Sequence, residues 1–220
     1  IQLDYVRFCT EKGMQDVVYP EEANTDKTKI ITEFVRFMAD RIAQKKVFFS
    51  TDVFGTIIGS YVDSMSVGQD YAVMAECVDY MCPMIYPSHY GNGNFGIAYP
   101  DTEPYKTIQG ALAASHKALF LEAGNQNYQA TVRPWLQGFT ASYLQHYISY
   151  GKEEIRAQIQ AAYDSGYEEW LIWNAANNYD FSAFLSKEEA EVEEKSRKEV
   201  GPPVQMTQTE ESSEERRNGE

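Results

Sequence analysis

Five short runs of apolar residues punctuate the chain. They are Ile1–Phe8 (IQLDYVRF), Val47–Phe54 (VFFSTDVF), Val78–Tyr86 (VDYMCPMIY), Thr131–Phe139 (TVRPWLQGF) and Glu169–Asn174 (EWLIWN). Each is rich in Val, Ile, Phe, Tyr or Trp and short enough to be a strand. They are mostly apolar on both faces, the pattern of a parallel sheet covered by helices. Three longer stretches between them have helical periodicity. TDKTKIITEFVRFMADRIAQKK places Ile31, Phe34, Val35, Met38 and Ile42 at three- and four-residue steps. YKTIQGALAASHKALFLEAG carries Ile108, Leu112 and Leu119, with Gly124 as its stop. GKEEIRAQIQAAYDSG has acids in its first turn, Ile155, Ile159 and Ala162 on one side, and Gly166 as its stop. A shorter helical piece, GQDYAVMAECV, links the second and third strands.

The order is therefore β-α repeated five times, with SKEEAEVEEKSRK as a terminal helix. This predicts an α/β fold built of βα units, a (β/α)8 TIM barrel or an open doubly wound sheet. A barrel needs eight units, and the first strand has no cap or turn before it. The expectation is the C-terminal five-eighths of a larger barrel, the remainder being removed or supplied by another chain. Residues 1–186 then form the partial barrel and 187–220 a charged terminal helix and tail. From Gly201 to Glu220 the composition is too polar to offset the entropy of ordering, so this segment is expected to be disordered.

Composition narrows the partners. The net charge is −14, with 3 Trp, 16 Tyr and 11 Phe. Such an acidic chain lacks the basic footprint that nucleic acid or an anionic membrane surface needs. No apolar run is long enough to span a membrane. The cysteines Cys9, Cys77 and Cys82 have no metal spacing and no even count for disulfides. The histidines His89, His116 and His146 are scattered. Neither a metal nor a cofactor is called for.

In a parallel barrel the working residues sit at the carboxyl ends of the strands. Asp4 and Asp52 interrupt two consecutive apolar runs there. Neighbouring strands lie about 4.8 Å apart. Two carboxylates at similar height fall near the separations of about 5–5.5 Å or 6.5–9.5 Å that retaining and inverting glycosidases use. Asp at a strand end also caps helices or pairs with arginine, and Arg7 or Arg133 is available for that. The other strand ends supply Tyr86, His89, Tyr90, Trp135, Gln137, Trp173 and Asn174. Aromatic faces with neutral hydrogen-bonding groups suit a carbohydrate. The competing reading places each Trp in a packed layer. The long loop from Tyr86 to Tyr105, rich in Gly, Pro and Tyr, is expected to form one wall of the cleft.

The segments IQLDYVRF, STDVFG, VDYMCPMIYPSHYGNGNFGI, VRPWLQGF and EEIRAQIQAAYDSGYEEWLIWNAANNY resemble the DUF4015 glycosyl hydrolase domain family of bacterial proteins over residues 1 to 180. That resemblance implies a glycosidase-like TIM barrel in which Ile1–Phe8 is strand four and Glu169–Asn174 strand eight. It also implies a secreted or envelope location. The expected activity is hydrolysis of a poly- or oligosaccharide. Asp4 is the expected nucleophile or base and Asp52 the expected general acid. Arg7, Tyr86, His89, Tyr90, Arg133, Trp135, Gln137, Trp173 and Asn174 line the expected substrate site. The rival reading is a carbohydrate-binding or scaffold domain without catalysis. A lyase or aldolase ranks last, because no Lys stands at a strand end.

Overall fold

The computed structural model describes residues 1–17, 26–122 and 130–200. Each of the five apolar runs holds a strand, and each strand is shorter than the run that predicted it. The first is the most curtailed. Strand β1 is only Gln2–Leu3. The Asp4 carboxylate accepts the Tyr5 amide (2.7 Å), and Tyr5 adopts a left-handed φ of 56°. A side chain has replaced the sheet as partner for the backbone, and the chain turns away. Strands β2 (Ser50–Phe54) and β3 (Tyr80–Ile85) pair over the whole length of β2.

The fourth run is split into β4 (Thr131–Val132) and β5 (Trp135–Gln137). Both pieces pair with β3 in one continuous register, Tyr80 opposite Thr131 and Met84 opposite Trp135. That register sets Pro83 opposite Pro134. Neither has an N–H to donate, so the ladder breaks there. Strand β6 (Leu171–Trp173) pairs with β5. All pairs are parallel, and the path β1-β2-β3-β5-β6 is open, with β1 and β6 at its ends.

Helix α1 (Lys27–Ala43) starts at Asp26, whose carboxylate caps the Thr28 amide (2.8 Å). Its buried side is Ile31, Thr32, Val35 and Ile42. Phe34, expected on that side, is exposed. A helix that the apolar pattern did not announce, α2 (Tyr61–Val67), precedes α3 (Tyr71–Ala75). Ser60 and Asp70 cap them, and Gly68 joins them at a φ of 76°. Helix α4 (Pro104–His116) passes into a wider turn, Lys117–Glu122. Its expected stop, Gly124, lies outside the described residues. Helix α5 (Lys152–Asp164) begins with a capping contact from Glu154 to the Gly151 amide (2.9 Å). Helix α6 (Lys187–Val200) is joined to it by the Arg156–Glu193 ion pair (2.6 Å) and by Arg197 over the Tyr163 ring. The segment expected to be disordered, 201–220, lies outside the described residues.

Alternation along the strands divides the sheet into two faces. Val53, Met81 and Val132 pack with Ile31, Val35 and Met74 in one core cluster. Ile85 and Leu136 pack with Ile108, Leu112, Ile155 and Ile159 in a second. Each such side chain contributes on the order of 1.5–3 kcal/mol by leaving water. Gln2, Asp52, Cys82, Tyr86, Arg133, Trp135, Gln137 and Trp173 take the alternate positions on the other face. Among the described residues, no helix is long and apolar enough to cross a membrane.

Candidate active site

Asp52 is the centre of this second face. It lies on β2 between β1 and β3 and is buried, with a relative exposure of 6%. Its Oδ1 accepts two hydrogen bonds, from Gln2 Nε2 (2.6 Å) and Trp135 Nε1 (2.7 Å). Burial raises its pKa above the usual carboxylate value. The two donors oppose that rise, and the negative charge of Asp4 adds to it.

Asp4 is exposed, one residue beyond the last pair of β1, Leu3 with Thr51. One more step of that register would set it level with Asp52. Its carboxylate bonds the Tyr5 amide, and its field reaches both Asp52 and Tyr86. The arginines expected near the acids are engaged elsewhere. Arg133 pairs with Glu169 and lies 3.8 Å from the Tyr80 ring centroid. The Arg7 guanidinium sits over Phe54, 4.8 Å from the ring centroid, and donates to the Phe8 carbonyl (3.1 Å).

Tyr86 and Cys82 complete the neighbourhood. Both are buried. Burial first, then the charge of Asp52, raises the Tyr86 phenol and pushes the Cys82 thiol up to about 12. Both stay protonated at neutral pH. Tyr86 meets His89 and Phe139 edge-on at 5.1 and 5.9 Å. His89 is exposed as a residue, yet desolvation around its ring lowers its pKa, so it is a neutral imidazole at pH 7. Trp173 stands 43% exposed at the end of β6, perpendicular to Trp135 with 6.0 Å between centroids. It is the open aromatic surface of the site.

Three residues expected to touch substrate are taken up by the protein itself: Gln137 and Tyr90 are buried, and Asn174 is half-buried with its amide bonded to backbone. Gln137 is fully buried. Its Nε2 donates to Asp101 Oδ1 (2.9 Å) and the Phe139 carbonyl (3.0 Å), and its Oε1 accepts the Ser88 amide (3.0 Å). Asn174 bonds the Gly138 and Asn178 carbonyls (2.6 and 2.8 Å) and accepts the Ala176 amide (2.9 Å). Tyr90 packs among Ile85, Ile108 and Leu112. Its hydroxyl occupies the space a side chain at Gly55 would need, 2.6 Å from the position of a Cβ there.

The long loop after β3 is tied down at several points. Asp101 anchors it, accepting from Gln137 and from the Ile148 amide (3.3 Å), while the Tyr150 hydroxyl donates to the Asp101 carbonyl (3.0 Å). The Tyr99 ring stacks on His146 at 3.8 Å. The loop after β3 is thus fastened to the loop after β5. Its glycines at 91, 93 and 96 have the spacing of a dinucleotide fingerprint. No long helix begins there, because Asn94–Gly96 is a single turn ending in extended Ile97.

Sequence reasoning missed Gln2, Asp101, Ser88 and Glu169. A period-two signal puts Gln2 on the same face as Asp4. No local signal marks the other three, since each is defined by a partner about 35 or more residues away.

A family match places the chain among known proteins. The family described as "Putative glycosyl hydrolase domain" (DUF4015) matches residues 1–179. A search of curated proteins finds no match. Among solved structures, the chain is similar to the PgaB (BpsB) glycoside hydrolase domain from Bordetella bronchiseptica. The identity is 15% and the TM-score 0.48, covering 74% of this chain and 41% of that one. It is also similar to the spore cortex-lytic enzyme SleL of Bacillus cereus, with 10% identity, TM-score 0.48, and 71% and 44% of the two chains covered. For bee venom hyaluronidase the values are 10%, 0.43, 70% and 49%. The chain spans less than half the length of each of these structures.

Proposed function

Because the chain belongs to this glycosyl hydrolase domain family, we propose that it takes part in hydrolysing a glycosidic bond in a poly- or oligosaccharide, with Asp52 as general acid and Asp4 as its partner carboxylate. The observation that carries this is the unequal pair on one face of the sheet, Asp52 in the middle of β2 and Asp4 one residue past β1. One acid is buried with its pKa raised, and the other is exposed beside it. A buried carboxyl with a raised pKa suits proton donation, and an exposed partner carboxyl is open to the substrate as nucleophile or base.

Protonated Asp52 transfers its proton to the glycosidic oxygen as the C–O bond breaks, and the bonding electrons leave with that oxygen. Asp4 then either attacks the anomeric carbon or takes a proton from the attacking water. Trp173 offers an apolar platform for the CH face of a sugar. His89, exposed, and Tyr86, buried against it, add neutral hydrogen-bonding groups. Their neutrality fits an uncharged polyol.

The test is turnover of a panel of glycans by the intact protein and by Asp4→Asn and Asp52→Asn. Both variants should lose hydrolysis while still binding. Undiminished hydrolysis in both would sink the assignment. Binding without hydrolysis in the parent protein would make it a carbohydrate-binding domain instead.

A further inference from the structure

The two hydrogen bonds to Asp52 both end on the same atom. Gln2 Nε2 and Trp135 Nε1 reach Oδ1 at 2.6 and 2.7 Å from opposite strands of the sheet. Gln2 lies on β1, at the edge of the path, and Trp135 on β5, beyond β3. Neither donor can carry the proton for catalysis, since an amide and an indole are neutral and do not titrate in water. Their effect is directional. A carboxyl oxygen that accepts two N–H bonds is a poor site for a proton, and the proton goes to the other oxygen.

We infer that Gln2 and Trp135 are positioning residues that clamp Oδ1 of Asp52, so that Oδ2 is the oxygen that holds and delivers the proton. This deepens the glycosidase reading and rests on it for the word "delivers". The clamp itself stands on geometry alone. Trp135 thereby has a role other than the sugar platform its position implied: its polar edge is committed to the acid, and Trp173 is left as the open ring.

The clamp also sets the orientation of the acid. A carboxyl group free to rotate presents either oxygen. One pinned through Oδ1 presents Oδ2 along a fixed line, which is what a proton transfer within hydrogen-bond reach requires. The charged and titratable groups that face Asp52 are Asp4 beyond β1, Cys82 and Tyr86 at β3, and the Arg133–Glu169 pair beyond Cys82. Cys82 and Tyr86 stay neutral at working pH, and Arg133 is neutralised by Glu169. Burial and, to a lesser degree, the charge of Asp4 raise the titration of Asp52, and the clamp opposes them.

The direct test is carboxyl and indole NMR of the intact protein. The Trp135 indole N–H resonance should move with the midpoint of the Asp52 carboxyl titration, because the two atoms share a hydrogen bond. Trp135→Phe keeps the ring and removes the N–H. Gln2→Met keeps the length and removes the amide. Each should raise the Asp52 pKa by roughly half a unit to one unit, and the double variant should raise it further. The acid-side limb of any glycan hydrolysis should move by the same amount. An indole resonance that ignores the Asp52 titration, or an Asp52 pKa unchanged or lowered in both variants, overturns the inference. The expected shifts in a protein that hydrolyses no glycan would uphold the clamp and remove only the enzyme reading. Activity that depends on Asp52 without the shifts would do the reverse.

Discussion

The two faces of one sheet follow different rules. On the helix-covered face, Val53, Met81, Ile85 and Leu136 are completely buried against α1, α3, α4 and α5. Any close-packed apolar side chain of similar volume meets that need. On the opposite face, the same strands present Asp52, Cys82, Tyr86, Arg133, Trp135 and Gln137, and the side chains of Asp52, Arg133, Trp135 and Gln137 are bonded to one another or to neighbouring polar groups. Burying a polar group there costs least when its bonds are made. The comparison teaches that stability and chemistry are written on alternate residues of the same strands. Within the polar face there is a second gradient. Gln137, under the fastened loops, is sealed, whereas Trp173, one strand away in the same row, is open.

The largest expected effect separates the faces by kind. Asp52→Asn should reduce glycan turnover by about 10²–10⁴-fold, the usual contribution of a general acid, with the circular dichroism spectrum unchanged. Leu136→Ala should do the opposite, costing about 2–5 kcal/mol in denaturant unfolding through the cavity it leaves. If both changes struck stability alike, the division between the faces would be broken.

Gln137→Leu probes the sealed end of the polar face. It strips Asp101 and the Ser88 amide of their partner, and a buried polar group left unpaired costs about 1–3 kcal/mol. Proteolysis of the loops after β3 and β5 should become faster as they come apart. Loops cut at the parent rate would mean that Tyr99 on His146 and Tyr150 on Asp101 hold them together without it.

The smallest effect is a pH-dependent one. The folded protein binds the Asp52 proton more tightly than the unfolded chain does. The stability this lends is therefore present below the unfolded value of about 3.9 and is lost as pH rises through the folded pKa. Asp52→Asn keeps an oxygen to accept from Gln2 and Trp135 and removes the ionisation. Its melting temperature should exceed the parent's at pH 7, and that advantage should vanish near about pH 4. An advantage independent of pH would show that Asp52 does not titrate in the raised range.

Much of this was legible in the residues. The five apolar runs marked the five strand segments, because burial on the helix side forces Val, Ile, Leu and Met into them. The acids at Glu153 and Glu154 marked a helix start, because first-turn charge and capping need only neighbours in sequence. Asp52 stood out because it breaks an apolar strand. What the residues by themselves did not decide was which polar groups spend their bonds inside the protein. Gln137, Asn174 and Trp173 look equivalent as strand-end residues. The first two are occupied by carbonyls and amides of other segments, and only the third is open. Nor could the length of β1 be read from IQLDYVRF, since it ends where Asp4 takes the Tyr5 amide from the sheet. The amino-acid pattern by itself determined where the strands fall, the helices other than α2 and the presence of two acids, because periodicity and capping act over a few residues. Tertiary structure alone decided that Gln2 and Trp135 meet on one oxygen of Asp52. Their separations of 50 and 83 residues from it are closed only by the register of the parallel sheet.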